Sequence, residues 1–271
     1  MSHDAGTTLS VARYLDCLAA DFERLGTAAA QAPTAQVPSC PDWTATDLVR
    51  HVGEVYAHKT QAILAATPGT EPEWPPKGTS DEEPFALLHR AYTALRTAIE
   101  TRDPADPSGT WYAPDQTVGF WIRRMAQETV IHRIDAELAA GGPVTAVPDD
   151  LAVDGVDELL KVFTAYAVTE WSDYFREPLA ASPGRTYEVR AEAGKGAAWR
   201  IRTGADPSFT VENVEDVEAG GSADVTLSGT PTALLRDLWN RAGTDETSRV
   251  RVTGAPEAVE ELRACLRIST Q

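Results

Sequence analysis

Basic side chains are scarce in this chain of 271 residues, where 24 lysines and arginines stand against 41 aspartates and glutamates for a formal net charge of -17. Lysine occurs only at positions 59, 77, 161 and 195. So acidic a surface repels phosphate backbones, which argues against nucleic acid as a partner. Long apolar runs are missing too. Nowhere do apolar residues continue for the ~18 positions of a membrane-spanning helix, and no membrane role is expected. The three cysteines, Cys17, Cys40 and Cys265, are odd in number and lack any C-x-x-C pairing. That disfavours a disulfide framework and a cysteine zinc site, leaves reduced thiols as the default, and sets Cys40 as a catalytic thiol against that default. Met1 to Thr8 show no basic start, apolar run and cleavage site in succession, so a cytoplasmic protein is expected. Apolar content itself is ample. With 42% hydrophobic residues, the chain can build one large core or two ordinary ones.

The first half reads as helices separated by proline-rich loops. Val11, Tyr14, Leu15, Leu18, Phe22 and Leu25 recur at three- and four-residue spacing, predicting a helix from Ser10 to about Ala29. Thr44 with Asp47 is a T-x-x-D start signal for a second helix to about Ala66. Ser80 with Glu83 reads as a capping box for a third, whose face is Leu87, Leu88, Ala91, Leu95 and Ile99. A fourth runs from about Gly119 to Ala140, with Gly141-Gly142 as its stop. Four helices of this length suggest a bundle. Pro148 introduces a fifth helix, extending to about Trp171. Beyond Pro183 the period changes to two, around Tyr187/Val189, Trp199/Ile201, Phe209/Val211, Val225/Leu227 and Val250/Val252, which predicts strands. Thr230-Pro231 and Pro256 each open one more helix. The expected fold is α + α/β, a four-helix bundle over 1–145 followed by a smaller α/β domain over 146–271.

Of the five histidines, His3 and His89 read as surface groups. An acidic residue lies four positions before a histidine at Asp47/His51, Glu54/His58 and Glu128/His132, a spacing that puts both groups on one helix face. Spacing alone cannot choose among them. A rise of ~1.5 Å per residue sets His51 and His58 about 10 Å apart on one axis, too far to share an ion. One histidine of the second helix combined with Glu128 and His132 of the fourth is the economical arrangement for a metal site. Salt-bridged or solvated side chains are the plain alternative.

The stretch VPSCPDWTATDLVRHVGEV resembles the loop and second helix of the mycothiol-dependent maleylpyruvate isomerase family, with C-P-x-W-T followed by D-L-v-x-H. TVGFWIRRMAQETVIHRIDAELAAG is similar to that family's second signature, E-x-x-x-H-R-x-D-A-E. This resemblance implies an N-terminal DinB-like four-helix bundle and a C-terminal α/β domain like sterol-carrier modules. It places the implied metal ligands on His51, Glu128 and His132. It further implies a divalent metal, zinc first, with iron, nickel or cobalt also suited to two histidines and a carboxylate. Mycothiol is the implied thiol cofactor and a small electrophile the implied substrate. Arg133 and Asp135 follow in the motif, where a salt bridge or a contact that orients the helix stands equally beside direct chemistry. Ile134 stands where many relatives carry tryptophan, which bears on a pocket wall.

The expected chemistry is a metal-held thiolate attacking a small electrophile, with either cis-trans isomerisation or thiol S-transfer as outcome. An isomerase would need cations for two carboxylates, and Arg123, Arg124, Arg133 and Arg236 are the candidates. Two other classes stay open at this point. One is a binding protein that keeps the bundle and the metal without turnover. The other is a carrier of apolar ligands that uses Trp199, Phe209 and Trp239 of the C-terminal part, residues that at such spacing equally suit a core.

Overall fold

A computed structural model of the protein describes residues 9–192, 196–214, 222–243 and 249–270; His3 lies outside them. The chain divides into two compact units, Ser10–Thr145 and Ala146–Gln271.

The first unit is built on four helices, α1 (Val11–Gln31), α2 (Ala45–Ala65), α3 (Pro84–Glu100) and α4 (Val118–Ala139). α1 packs on α4, α2 on α3, and α2 also meets α4. A short hairpin, β1 (Gln36–Val37) and β2 (Cys40–Thr44), joins α1 to α2. The starts follow local chemistry. Thr44 and Asp47 form a reciprocal capping box on α2, satisfying two of the donors that every helix start leaves unpaired. α3 departs from the sequence expectation, because Glu83 is its cap, accepting from the amides of Phe85 and Ala86, and Pro84 is its first residue. Proline fixes its own φ and forces the preceding residue to be extended, so the helix cannot begin earlier at Ser80.

Leu48, Val52, Tyr56, Leu87, Leu88 and Leu95 are fully buried between the helices, and aliphatic side chains in such positions contribute ~1.5–3 kcal/mol each. At Gly53 a Cβ would stand 2.8 Å from Leu87 Cγ and 3.1 Å from the Leu88 amide. Only glycine permits so close an approach of α2 to α3. α4 is buried on nearly every side, and its buried polar groups therefore need partners. Most of the candidate site comes from them.

The second unit opens with α5 (Asp149–Glu158), which passes through a π-helical stretch, Leu159–Ala165, into α6 (Tyr166–Glu170). The single fifth helix expected to about Trp171 is thus three segments. A further helix, α7 (Ser172–Leu179), follows where none was expected; it contains Pro178, which masks its pattern. Five strands, β3 (Thr186–Ala191), β4 (Ala197–Gly204), β5 (Ser208–Asn213), β6 (Val225–Gly229) and β7 (Arg251–Gly254), form one sheet in the order β5-β4-β3-β6-β7. Only β3 and β6 run parallel. α8 (Pro231–Leu238) links β6 to β7, and α9 (Pro256–Ser269) closes the chain.

Glu261 of α9 accepts hydrogen bonds from Tyr187 of β3, Thr203 of β4, Ser182 and Arg185, at 2.7–2.9 Å. These bonds pin α9 to the sheet. Trp199, Phe209 and Trp239 are buried in this unit; Trp199 Nε1 donates to Asp157 at 2.9 Å, and Trp239 packs edge-on against Phe163. All three are core side chains.

Candidate metal centre

Glu128 and His132 lie one turn apart on α4, and their side chains share a face. His51 comes from the neighbouring α2. One donor atom from each of the three lies within 4.8 Å of the others. Glu128 Oε1 stands 3.5 Å from His51 Nε2 and 3.2 Å from His132 Nε2. Two ligands of one tetrahedral ion, with bonds of ~2.0–2.2 Å, are about 3.3–3.6 Å apart. The observed separations are close to that.

The outward atoms of Glu128 and His132 are held by further side chains. His132 Nδ1 lies 2.9 Å from Asp135 Oδ2, so with its proton on Nδ1 the ring turns a bare Nε2 toward Glu128. Asp135 is fully buried and also accepts from Ser39 Oγ, at the turn of the β1–β2 hairpin. Arg124 Nη2 donates to Glu128 Oε2 at 3.1 Å, leaving Oε1 to the two imidazoles. Two imidazole nitrogens and one carboxylate oxygen, with the carboxylate and the His132 ring oriented from behind, fit a divalent transition ion. Replacing Asp135 by asparagine removes the charge that polarises His132 while nearly keeping the shape. Asp135→Asn is expected to weaken metal affinity by ~10–100-fold in chelator competition; an unchanged affinity would show that Asp135 does not serve the ligand.

These protein groups also set one another's charge. Burial works against a cation at His132, but Glu128 beside it and the bonds to Asp135 outweigh burial and push the imidazole up to about 9. At Glu128 burial again opposes the charge, and His132, His51 and Arg124 together hold the carboxyl well below the ordinary range.

The other candidates fall elsewhere. His58 is buried on α2 with Nε2 2.9 Å from the Pro72 carbonyl, and burial holds its pKa down. His89 is exposed on α3, edge-on to Phe22 at 5.3 Å. Cys40 opens β2, half-buried and outside the three-residue group. Ile134 is fully buried in α4.

The arginines proposed as carboxylate receptors need correction. Arg133 is 1% exposed, with Nε 3.1 Å from Asp21 Oδ1 and Nη1 2.8 Å from Glu137 Oε2, so it ties α4 to α1. Arg124 faces Glu128, Arg123 is half-buried on α4, and Arg236 on α8 donates to the Arg241 carbonyl. Sequence reasoning also missed Ser39 and Trp74. Ser39 falls inside the quoted motif but carries no spacing signal, and Trp74 sits in a proline-rich loop that has no periodicity. Trp43 and Trp74 both flank His51, with ring centroids 4.7 Å and 6.1 Å from its imidazole.

Comparisons with known proteins agree in direction. The family description "Mycothiol maleylpyruvate isomerase N-terminal domain" matches residues 15–137, and that of the corresponding C-terminal domain matches residues 150–261. No curated protein matches the sequence. Among solved structures, a crystal structure of the mycothiol-dependent maleylpyruvate isomerase is 15% identical, with a TM-score of 0.59 over 92% of this chain and 96% of that one. A histidine-to-alanine mutant of that isomerase gives a TM-score of 0.60 at the same identity and coverage. At this identity the likeness concerns the fold. Among the described residues, no helix is long and apolar enough to cross a membrane.

Proposed function

Because the chain belongs to the mycothiol-dependent maleylpyruvate isomerase family, we propose that it is a mycothiol-dependent metalloenzyme acting on a small electrophile, with His51, Glu128 and His132 as its metal ligands. The observation that carries this reading is the convergence of the two Nε2 atoms on Glu128 Oε1, with the outer atoms of Glu128 and His132 already held. When bound there, a divalent metal, zinc first, would keep the mycothiol thiol deprotonated near neutral pH and so supply a strong nucleophile.

The protein's own part is orientation and charge. Asp135 fixes the tautomer of His132, and Ser39 fixes Asp135. Arg124 balances the carboxylate and selects which oxygen points inward. The hairpin residues carry the first motif's chemistry into the site, since Trp43 packs on His51 and Thr44 starts the helix that bears it. Arg133 is enclosed by Asp21 and Glu137, and Arg124 faces Glu128. At least three of the four proposed cations are therefore engaged within the protein, Arg236 by the Arg241 carbonyl, which weighs toward electrophiles that are not dicarboxylates and toward thiol S-transfer over isomerisation.

Steady-state assay of metal-replete protein tests the reading, with mycothiol offered alongside a cis-unsaturated dicarboxylate and a set of uncharged alkylating compounds. Consumption of one electrophile that requires both mycothiol and metal is the expected result. Isomerisation of the dicarboxylate with no net loss of thiol would reverse the preference for transfer. No turnover with any of them would overturn the enzyme reading and leave a metal-binding protein on the same fold.

A further inference from the structure

Trp74 is 49% exposed in the loop between α2 and α3, an uncommon place for the largest apolar side chain of an acidic protein. Its position is fixed from both sides. Before it, the Pro72 carbonyl meets His58 Nε2 at 2.9 Å. After it, Arg50 of α2 donates to the carbonyls of Thr79, Ser80 and Glu82 at 2.9–3.3 Å, and Thr79 Oγ1 reaches Glu54 at 3.3 Å. Between these tethers the indole meets two imidazoles at steep interplanar angles, 65° to His51 at 6.1 Å and 74° to His58 at 5.5 Å. The indole thus packs against both imidazoles of α2 while about half of its surface stays open to solvent. Trp43, half-buried, lies against His51 as well. The candidate metal ligand His51 is therefore flanked by two indoles, one of them about half exposed to solvent.

Resting on the reading that this site takes mycothiol, we propose that Trp74, with Trp43, is the stacking platform for the sugar portion of that thiol. Mycothiol is an acylated cysteine carried on a glucosamine–inositol pair. Its two rings present axial C–H groups that are weakly positive and unable to hydrogen-bond. The electron-rich face of an indole is the complement to such a surface, and it covers a large apolar area at little entropic cost. Ring hydroxyls at the edge remain in water, as the exposure of Trp74 requires. The thiol then lies at the His51 end and the polyol at the solvent end, the order in which the molecule is built.

The test compares a thiol that carries the sugar with one that lacks it. For metal-loaded wild type and Trp74→Ala, KM is measured for mycothiol and for N-acetylcysteine. Binding of glucosaminyl-inositol, which has no thiol and cannot react, is measured by calorimetry. The ratio of the two KM values is expected to rise about tenfold in Trp74→Ala, equivalent to ~1.4 kcal/mol. The calorimetric affinity for glucosaminyl-inositol should fall by a similar factor, and Trp74→Phe should restore most of both. Trp171→Ala, at an exposed tryptophan of the second unit, is the control and should change neither. If wild type turns over mycothiol and Trp74→Ala leaves both quantities alone, the platform is wrong while the enzyme reading stands. A rise in the KM of the electrophile alone would place the substrate on Trp74 and also overturn the proposal. If wild type neither binds nor uses mycothiol, the functional reading fails and this proposal falls with it.

Discussion

His132→Ala is expected to reduce bound metal from about one equivalent per chain to background, with the helical content retained. The side chain supplies one of three converging donors, and its removal leaves Glu128 Oε1 paired with His51 alone across 3.5 Å. The loss should exceed the ~10–100-fold expected of an outer partner such as Asp135, because a donor itself is gone. His51→Ala should do the same from the other helix. The pair of variants matters, since together they show that α2 and α4 contribute to one ion. Elemental analysis of protein purified without a metal-binding tag reads the result directly. The pH dependence follows from the protein groups. His132 holds its proton up to about 9, and an ion must displace that proton to reach Nε2. Apparent affinity should therefore rise with pH, by up to about tenfold per unit per proton released, and level off above about 9. Stoichiometric metal in both alanine variants would sink the site.

Replacing Arg133 by methionine is expected to be the most destabilising single change in the first unit. The guanidinium is 1% exposed and lies between Asp21 of α1 and Glu137 of α4. It also donates to the Thr145 carbonyl at 2.6 Å, while Thr145 donates back to Glu137 through its amide and hydroxyl at 2.8–2.9 Å. Methionine fills most of the volume but leaves two buried carboxylates facing each other without the cation. Breaking a buried pair from one side costs about 3–5 kcal/mol, a large part of the ~5–15 kcal/mol that holds a domain together. At Asp21, burial already raises the carboxyl's pKa against the pull of Arg133, so in the variant Asp21 is expected to take up a proton and recover part of the loss. Asp21→Asn should accordingly cost less than Arg133→Met. Thermal and urea unfolding of both variants check the order; equal or smaller loss in Arg133→Met would show that the uncompensated carboxylates are not the dominant cost.

Much of the architecture was legible one segment at a time. The apolar spacing of α1 and α3, the capping pair Thr44 and Asp47, the Gly141-Gly142 stop of α4, and the change from helical to alternating period after Pro183 are all local signals. A helix or strand writes its buried face into positions a few residues apart. Where two local signals competed, reading failed. Ser80 and Glu83 looked like a cap until Pro84 is considered, whose ring sets the start by sterics alone. The π-helical stretch at Leu159–Ala165 carries no distinct spacing, so three segments read as one helix to about Trp171.

The site divides in the same way. Residue types and spacing on α4 singled out Glu128 and His132 as a pair sharing a face, because i and i+4 are neighbours on any helix. Choosing His51 over His58 as their partner took the resemblance to a known family, since both histidines lie on α2 with an acid one turn before. Tertiary structure settled what each side chain does. It turned His58 to the Pro72 carbonyl, gave Arg133 to Asp21, set Ser39 behind Asp135 and brought Trp74 beside His51. These are contacts between residues from 14 to 112 positions apart, and no periodicity records them. Local sequence determines which face of a helix is apolar and where the helix starts. Which polar group meets which across the bundle depends on how the helices approach one another, and at Gly53 a single missing Cβ helps to set that.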